Sequence, residues 1–457
     1  MITIVVGAGK IGYAIAEHLV SEGHDLTLVD SDPEALEDAL SGIDAICVLG
    51  NGASRGTLVR ANAGEADLVI SFTESDEINL LCCLLAKKLG AQHTIARVRK
   101  PEYYDDIELI RGELRLSSVI NPERAVAEEI VRILEFEGAL NAETFAKGKV
   151  ELITFEVTAD CQLCSRSVKD VFSRLKTEAL LCAVERGEKV FIPSGDFVIN
   201  EGDLATVVAP LKSLTRFLRE VGVGSGRAKS VMIIGGGRIC SYLASALLEA
   251  GNEVTIIEID REKAEKLAVD FPRANVINAN GSDPDLLREE RIEEFDAFCT
   301  LTGIDEENIM LSLYAKTLGD IKTVTKVNQQ MYRDIARSLG LGSVISSKSV
   351  ASNIVLRYVR ALHNGIGSKV ETLYKIISGK AEALEFKVEA SSSLIGVPLE
   401  RLSLKKELLL ACIIRKNGGI VMPHGKDCIE AGDTAIVVTT INGLDDLDDI
   451  LEERQGL

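Results

Sequence analysis

The sequence predicts an α/β protein with tandem doubly wound, Rossmann-like domains, each followed by a small α+β domain. Two observations predict this fold class. Short apolar runs alternate with helical segments, which is typical of a buried parallel sheet covered by helices. The 457-residue chain also repeats itself at a constant spacing, so that Gly7 aligns with Gly235 and Asp30 aligns with Glu258.

The repeat divides each half of the chain into two domains, in the order A–B–A′–B′. "EADLVISFTESDEINLLCCLLAKKLG" in the first half pairs with "EFDAFCTLTGIDEENIMLSLYAKTLG" in the second. "IPSGDFVINEGDLATVVAP" pairs in the same way with "MPHGKDCIEAGDTAIVVTT". We therefore predict the Rossmann-like domains at residues 1–140 and 228–362, and the small α+β domains at residues 141–221 and 369–455.

The elements of the first half follow from the same patterns. Apolar runs predict five buried strands in domain A, and helices lie between them, for example at residues 10–21. The five runs are "ITIVVGAG", "DLTLVD", "ICVLG", "DLVISFT" and "TIARVR". Domain B instead alternates and turns at Gly187, Gly195 and Gly202, which predicts antiparallel hairpins. "GVGSGRAKS" at residues 222–230 is a flexible linker between the halves.

Composition and charge exclude several classes of partner. The net charge of −19 argues against a basic surface for nucleic acid and against charge-driven binding to an anionic membrane. The chain shows no apolar run long enough for a transmembrane helix and begins directly with a strand, so we expect a cytosolic protein without membrane insertion. Most of the ten cysteines are expected to be buried thiols in a reducing compartment.

The first glycine loop lies between a predicted strand and a predicted helix, which is the context that a G-x-G-x-x-G motif requires. Gly7 permits the tight turn, Gly9 lets a phosphate approach the backbone, and Gly12 lets the helix pack on the strand. The helix amino terminus offers free N–H groups to phosphates. Asp30 ends the second strand, where a carboxylate can bind ribose hydroxyls and would repel a 2′-phosphate. The sequence therefore favours NAD or ATP/ADP over NADP.

The second glycine loop keeps the phosphate-facing glycines, Gly235, Gly236 and Gly237, but has Cys240 in place of Gly12. Glu258 can bind ribose with a longer side chain than Asp30 has. We expect a second nucleotide site in which packing of the helix is altered. Lys10 in the first loop and Arg238 in the second either add charge toward the phosphates or are exposed cations at a helix start.

Other loops at the carboxyl ends of the strands are expected to complete each crevice. The residues after strand three either hold the adenine end or only make a turn, and the cations after strand five can reach phosphates or a neighbouring subunit. The candidates are Asn51, Gly52, Thr73, Glu74 and Arg97 in the first repeat, and Asn280, Gly281, Thr302, Gly303 and Lys326 in the second.

Residues suited to catalysis do not recur at the crevice positions. A hydride-transferring enzyme needs a proton donor or acceptor beside the nicotinamide. None of the five histidines is expected there; they are His18, His24, His93, His363 and His424. "CQLC" at residues 161–164 has no partner pair at zinc spacing, so buried thiols are favoured over a metal or redox site.

Together these features resemble the TrkA family, the cytosolic regulatory subunits of Trk potassium-uptake systems. The resemblance rests on "VVGAGKIG", "IIGGGRIC", "NGAS", "SFTESDEIN" and "VINPERAVAEEI", and on the domain order. It covers essentially the whole chain and implies RCK-N (KTN) and RCK-C domains. It also implies that NAD(H), or ATP and ADP, bind the two loops. The implied first-site residues are Gly7, Ala8, Gly9, Lys10, Ile11, Asp30, Thr73, Glu74 and Arg97. The implied second-site residues are Gly235, Gly236, Gly237, Arg238, Ile239 and Glu258.

The resemblance implies a non-enzymatic, nucleotide-sensing subunit that gates a Trk-type membrane potassium channel. Such a subunit would assemble as a homodimer or homotetramer ring and lie at the inner face of the membrane through its partner. The alternative is a soluble NAD-dependent oxidoreductase with duplicated cofactor domains. A redox sensor that acts through "CQLC" is a third hypothesis, which predicts that Cys161→Ser abolishes the response to NADH.

Overall fold

The computed structural model describes residues 1–104, 106–136, 138–145, 148–187, 189–224, 226–364, 370–376, 380–441, 443–444 and 446–452. The chain forms two compact units. One consists of Met1–Glu128 with Ser230–Leu356, and the other of Glu129–Lys229 with Arg357–Leu457. The predicted boundaries at residues 369 and 455 lie outside the described residues, and the four domain ranges stay predictions.

The first Rossmann-like domain has six parallel strands. They are β1 (Ile2–Val6), β2 (Asp25–Asp30), β3 (Ile46–Leu49), β4 (Leu68–Ser71), β5 (His93–Arg97) and β6 (Ser118–Ile120). Its helices are α1 (Lys10–Ser21), α2 (Pro33–Leu40), α3 (Arg55–Arg60), α4 (Asp76–Leu89), α5 (Pro101–Tyr104), α6 (Ile107–Ile110) and α7 (Pro122–Glu135). The spatial order β3-β2-β1-β4-β5-β6 confirms the doubly wound fold, with its switch point between β1 and β4.

Four of the five predicted apolar runs contain a strand, and the fifth, which begins at Thr94, overlaps β5 except for its first residue, His93. Strand β4 is buried along its whole length and β1 along all but its first residue, as expected for the centre of a sheet covered on both faces. The sixth strand, β6, is an addition to the prediction. It is only three residues long and pairs with β5 from Ile95 to Arg97, so it is too short to show a period of its own.

The second Rossmann-like domain repeats this arrangement, in the order β16-β15-β14-β17-β18-β19. Its strands are β14 (Ser230–Ile234), β15 (Glu253–Glu258), β16 (Asn275–Asn278), β17 (Ala297–Thr300), β18 (Lys322–Lys326) and β19 (Ser343–Ile345). Its helices are α10 (Arg238–Glu249), α11 (Arg261–Asp270), α12 (Pro284–Glu289), α13 (Asp305–Leu318), α14 (Gln330–Ser338) and α15 (Ser347–Asn364).

The two small domains are antiparallel, as the hairpin signals predict. The first consists of β7 (Asn141–Phe145), β8 (Val150–Glu156), β9 (Arg166–Ser167), α8 (Val168–Phe172), β10 (Leu180–Arg186), β11 (Lys189–Phe191), β12 (Val198–Ile199), β13 (Leu204–Pro210) and α9 (Leu211–Val221). The second consists of β20 (Val370–Ile376), β21 (Ala381–Lys387), β22 (Leu408–Ile414), β23 (Ile420–Val421) and β24 (Thr434–Thr439). The five-stranded sheets have equivalent orders, β11-β10-β13-β8-β7 and β23-β22-β24-β21-β20.

Each small domain has a hydrophobic cluster of its own, and a further cluster contains residues of both. Phe145 and Leu152 of the first domain pack in the same buried cluster as Ile376 and Ile436 of the second. An ion pair between Lys380 and Glu185 spans the same junction, with 3.1 Å from Nζ to Oε1. Burial of a large apolar side chain stabilises a fold by roughly 1.5–3 kcal/mol, so separating the domains would expose a costly apolar face.

Candidate nucleotide sites

The first glycine loop connects β1 to α1 at the switch point of the sheet. Gly7 has a φ of +105°, and a Cβ atom there would lie 2.7 Å from the carbonyl oxygen of Phe72, so only glycine fits. Helix α1 begins at Lys10 with Gly9 at its N-cap, without a side-chain cap and without an acidic residue in the first turn. Space above Gly9 is open, since a Cβ atom there would meet no atom within 4 Å. The loop therefore presents free N–H groups to an anion.

Other helices of the same sheet begin differently. The side chain of Asp32 caps α2 and that of Ser75 caps α4, and both helices carry acidic residues in the first turn. These side chains satisfy the N–H groups that α1 leaves free. Helix α10 resembles α1, because it has Gly237 at an uncapped start and no acidic residue in its first turn. Both glycine loops are therefore open where phosphates would bind.

The two loops differ at the third glycine position. A Cβ atom at Gly12 would lie 1.8 Å from the carbonyl oxygen of Gly7, so the first loop touches its helix directly. At the equivalent position, Cys240 is fully buried, and burial raises the pKa of its thiol. The first loop has no room for the side chain that the second loop carries, and the predicted alteration of helix packing in the second loop stays a prediction.

Each loop is held by the carboxylate that ends the second strand. Asp30 accepts a hydrogen bond from the backbone N–H of Ala8 at 2.5 Å and another from that of Asp32 at 2.9 Å. Glu258 accepts from the N–H groups of Gly236 at 2.5 Å and Asp260 at 2.8 Å. Each carboxylate oxygen has two lone pairs, so the carboxylates can also accept from ribose hydroxyls. Their position beside the loop fits the predicted ribose contact.

Side chains pack more closely against the second glycine loop than against the first. Gly235 keeps the left-handed backbone, with a φ of +100°. A Cβ atom at Gly236 would lie 2.4 Å from Cδ1 of Leu267 and 3.0 Å from Oε2 of Glu258. Ala8 occupies the equivalent position in the first loop. Ile239 is buried behind the loop, whereas Arg238 is exposed at the helix start, as Lys10 is.

The residues after the third strand of each sheet form turns and pack closely against the first strand. Asn51 accepts the N–H of Ala53 at 2.8 Å, and Asn280 accepts that of Ser282 at 3.0 Å. A Cβ atom at Gly52 would lie 2.2 Å from Cγ1 of Val6, and the space beside Gly281 is similarly filled by Ile234. These glycines let the loop pack against the first strand of each sheet. Their contact with an adenine ring stays a prediction.

The residues after the fourth strand are organised by a buried asparagine that the sequence analysis did not single out. Asn79 accepts from the backbone N–H and the hydroxyl of Thr73, both at 2.8 Å, and donates to the carbonyl of Arg97 at 3.0 Å. Asn308 links Thr302 to Lys326 in the same way. The asparagine therefore ties the ends of the fourth and fifth strands together. The repeated "SDEIN" and "IDEEN" segments were the signal for it.

The cations that end the fifth strands are placed differently in the two repeats. Arg97 is 8% exposed and pairs with Glu123, at 2.7 Å from Nη2 to Oε1. Burial lowers its pKa, and Glu123 opposes that effect. Lys326 donates to the carbonyl of Leu301 at 3.1 Å, and burial lowers its pKa. In the first repeat, Arg97 is therefore neutralised by Glu123. In the second repeat, Lys326 forms no ion pair with a carboxylate among the described residues.

A second feature that the sequence did not predict is a pair of buried aspartates. Asp76 accepts from the backbone N–H groups of Arg99 and Lys100, both at 2.9 Å. Asp305 accepts from Asn328 and Gln329 in the same way, also at 2.9 Å. The side chain of Arg99 also donates to the carbonyl of Glu74. These bonds hold the loop after the fifth strand beside the crevice.

The remaining motifs lie away from the crevices. His18 lies within α1, His24 precedes β2, and His93 begins β5, all away from the carboxyl edge of the sheet. Cys161 lies in the core of the first small domain, where Cys164 packs against the same cluster. The part of the chain that the structure describes contains no cluster of three metal-ligating side chains. It also contains no helix long and apolar enough to cross a lipid bilayer.

The fold and the two loops define a class of protein: a tandem Rossmann-like protein with an open, nucleotide-type glycine loop in each half. The TrkA-N domain model matches residues 3–122 and 231–347, and the TrkA-C domain model matches residues 152–222 and 383–452. The chain therefore belongs to the TrkA family.

Relatives cover nearly the whole chain. The Trk system potassium uptake protein TrkA homolog 1 of Methanosarcina mazei is 30% identical over 445 residues, which is 96% of this chain and 97% of the relative. The Trk system potassium uptake protein TrkA of Azorhizobium caulinodans is 29% identical over 444 residues, 96% of this chain and 95% of the relative.

Solved structures support the same fold at low identity. The GsuK channel bound to NAD matches with a TM-score of 0.62 and 17% identity, over 96% of this chain and 76% of that one. The GsuK RCK domain matches with a TM-score of 0.63 and 18% identity, over 96% of this chain and 92% of that one. These similarities confirm the predicted RCK-type fold of paired domains.

Proposed function

We propose that this protein is a nucleotide-sensing regulatory subunit of a Trk-type potassium-uptake system. Membership of the TrkA family and the names of its full-length relatives support this function. The protein would act in the cytoplasm, held at the inner face of the membrane by a Trk-type channel subunit. The chain offers no described membrane-spanning helix of its own, so contact with the membrane would depend on that partner.

The observation that carries the proposal is the pair of open glycine loops, each with a carboxylate behind it. Gly7 and Gly235 have left-handed backbones, and α1 and α10 begin without side-chain caps. These features suit a diphosphate on the loop and a ribose on Asp30 or Glu258. NAD(H), ATP and ADP share this part of their chemistry. Similar RCK structures are described as bound to NAD and to ADP.

Assembly into a homodimer or a homotetramer ring is part of the proposal. Helix α14 and its C-cap carry an exposed apolar stripe made of Met331, Ile335 and the C-cap residue Leu339, which are 60%, 44% and 52% exposed. They are spaced by four residues and lie on one face of the helix. A stripe of this kind is a candidate interface with a second copy of the chain.

Gating would follow from a difference in nucleotide affinity between two arrangements of the protein. A ligand that binds both arrangements equally cannot shift their equilibrium. A tenfold preference contributes about 1.4 kcal/mol per site, so several sites in one assembly can shift a gate strongly. The phosphate-facing loops and the helices that begin at them are the parts that a nucleotide touches first.

A soluble NAD-dependent oxidoreductase is the competing function. That function requires a group that exchanges a proton beside the nicotinamide. The described crevices instead place asparagine, threonine and paired charges at the strand ends, including Asn79 and the pair Arg97–Glu123. Nucleotide binding without turnover of NADH in a metabolite panel would favour the regulator.

The deciding experiment is potassium flux in vesicles that contain a Trk-type membrane subunit with and without this protein. We expect flux to depend on ATP, ADP or NADH, and the dependence to weaken in Asp30→Ala and Glu258→Ala. Asp67→Ala, at the amino-terminal edge of the first sheet, is the control for a lost carboxylate. Flux that ignores all three nucleotides would contradict the proposal.

A further inference from the structure

One edge of the first Rossmann-like sheet carries exposed apolar side chains. Strand β3 (Ile46–Leu49) stands last in the strand order, so one of its sides has no partner strand among the described residues. Ile46 is 68% exposed, and Leu49 is more than half exposed. A strand edge with unpaired backbone groups and apolar side chains is a template on which another chain can pair.

These side chains point to both faces of the sheet. Val48 packs against the buried cluster that contains Leu58 of α3. Because side chains alternate along a strand, Ile46 lies on the same face as Val48, and Leu49 lies on the opposite face. A partner that contacts both side chains must therefore run alongside the strand.

The two helices that pack on β3 extend this surface. Leu40 is the last residue of α2, and Val59 lies in α3; both are more than half exposed. Single exposed apolar residues are ordinary, whereas several gathered at one place are typical of an interaction site. We call Leu40, Ile46, Leu49 and Val59 the apolar edge.

The second Rossmann-like domain has a polar strand at the same edge. At the positions aligned with the ends of β3, strand β16 has Asn275 and Asn278. Nδ2 of Asn278 donates to the carbonyl of Glu258 at 2.9 Å and to that of Ile259 at 3.1 Å. Polar side chains on an edge strand oppose pairing with other chains. The sheet therefore forms without apolar residues at these two positions, which points to another role for them in the first domain.

The chain around the apolar edge is acidic. Residues 11–54 contain nine Asp and Glu residues and no Lys or Arg, whereas the aligned residues 239–283 contain four Lys and Arg. Arg60 lies on the α3 side, where its Nη2 donates to the carbonyl of Leu49 at 2.7 Å. The excess negative charge is therefore on the α2 side. The exposed carboxylates of α2 and of the segment that leads to β3 are Glu34, Glu37, Asp38 and Asp44.

Charge selects the occupant among three kinds of partner. An anionic lipid surface would be repelled by these carboxylates. A second copy of the chain carries a net charge of −19 and would bring further negative charge to the surface. The cytoplasmic loops of membrane proteins, by contrast, carry an excess of Lys and Arg. A basic loop of this kind is complementary to the α2 side of the apolar edge.

We propose that the apolar edge is the docking surface for a basic, extended segment from the cytoplasmic side of the Trk-type membrane subunit. The inference rests on the proposed function and adds the surface through which that function would be exerted. The segment would lie beside β3 as an added strand, with apolar side chains against Ile46 and Leu49. Its Lys or Arg side chains would pair with the carboxylates of the α2 side.

Binding to a Trk-type membrane subunit in nanodiscs of zwitterionic lipid, measured by biolayer interferometry, tests the proposal. Ile46→Asn with Leu49→Asn gives β3 the residue types of the aligned positions 275 and 278. We expect this double variant to bind at least about tenfold more weakly, because two apolar side chains no longer become buried on binding. Val269→Asn is the matched control, since this valine is exposed on α11 of the second domain, and it should leave binding unchanged.

The charge of the surface is tested separately. Glu37→Lys with Asp44→Lys should weaken binding by about tenfold and reduce its dependence on salt, because two attractive charges become repulsive. Glu289→Lys with Glu293→Lys changes the net charge equally, at exposed positions of the second domain, and should have a smaller effect. An equal effect would contradict the proposal, because it would assign the attraction to net charge alone. An unchanged melting temperature shows that each variant is folded.

The outcomes separate this inference from the proposed function. If the parent protein does not bind the membrane subunit, both fail. If it binds and the two β3 and α2 variants bind as tightly, the docking surface is wrong and the proposed function stands. Binding of the parent to vesicles of anionic lipid that the asparagine variant loses would assign the edge to lipid. Self-association that the same variant loses would assign it to a second copy, and either result would overturn the proposal.

Discussion

Replacing Gly12 with Cys places in the first glycine loop the side chain that the second loop carries at position 240. The Cβ atom would lie 1.8 Å from the carbonyl oxygen of Gly7, whereas real Cβ contacts essentially never fall below 3.0 Å. The loop and the start of α1 must therefore separate by about 1.2 Å, because a close-packed interior offers no slack for backbone atoms. Both the helix start and the turn at Gly7 belong to the candidate phosphate site.

The size of the effect follows from this displacement. Hydrogen bonds to a phosphate near 2.9 Å would stretch beyond useful length if the loop moved by about 1 Å. Loss of one or two charge-assisted bonds, at roughly 1.5–3 kcal/mol each, predicts at least a tenfold weaker nucleotide affinity at the first site. Overpacking also lowers the free energy of unfolding by about 1–3 kcal/mol.

Calorimetry and thermal unfolding of Gly12→Cys measure both quantities. Cys240→Gly is the matched control in the second loop. It removes a buried side chain and adds a helical glycine, so it should lower stability by roughly 1–3 kcal/mol. It creates no clash, and its nucleotide affinity should change little. If Gly12→Cys keeps the nucleotide affinity and the stability of the parent protein, the inference that the first loop is too tight for a side chain is refuted.

Three further predictions concern the polar contacts. The hydroxyl of Tyr242 in α10 donates to the carbonyl of Arg99 and accepts from Nδ2 of Asn121, so it joins the two Rossmann-like domains. Tyr242→Phe removes both bonds and should lower the free energy of unfolding by about 1–2 kcal/mol, measured in urea; an unchanged midpoint would show that these bonds contribute nothing. Burial raises the pKa of Glu151 to about 7, above its unfolded value of 4.5, so its contribution to stability is full below pH 4.5 and is lost as pH rises toward 7. Glu151→Gln should weaken the dependence of the free energy of unfolding on pH between pH 4.5 and about 7. A dependence equal to that of the parent protein would contradict the assignment of this titration to Glu151. Asn79→Ala leaves the backbone N–H of Thr73 without its acceptor and should cost about 1–3 kcal/mol while weakening nucleotide binding at the first site alone; equal loss at both sites would count against it.

Much of the fold could be predicted because its signals are local and occur twice. The apolar runs and the two glycine loops identify the strands, the helices that begin at Lys10 and Arg238, and the doubly wound class. Strand β6 could not be predicted in this way, since three residues at a sheet edge show no periodicity and depend on pairing with β5.

The candidate sites were predicted less completely, because several roles depend on contacts between distant residues. Gly52 packs against Val6, a closeness that the local "NGAS" segment does not reveal. Arg97 is neutralised by Glu123, which lies 26 residues further along the chain. Asn79 could have been found, since its position recurs in the second repeat and Ile78 and Leu80 flank it, but a polar side chain in this setting does not by itself indicate burial.

Covalent duplication gives the contact between the two Rossmann-like domains a freedom that a symmetric dimer of two identical halves would not have. In such a dimer every substitution appears in both subunits, so a lysine at one interface position is also present at the symmetry-related position. Here Tyr242 stands in α10 where Ala14 stands in α1, and Lys348 stands where the first repeat has Glu123, so the two copies differ at these positions. The hydroxyl of Tyr242 bonds to Arg99 and Asn121 of the first domain, whereas Ala14 has no hydroxyl with which to make equivalent bonds. The chain can therefore change a contact in one half without the same change being imposed on its counterpart.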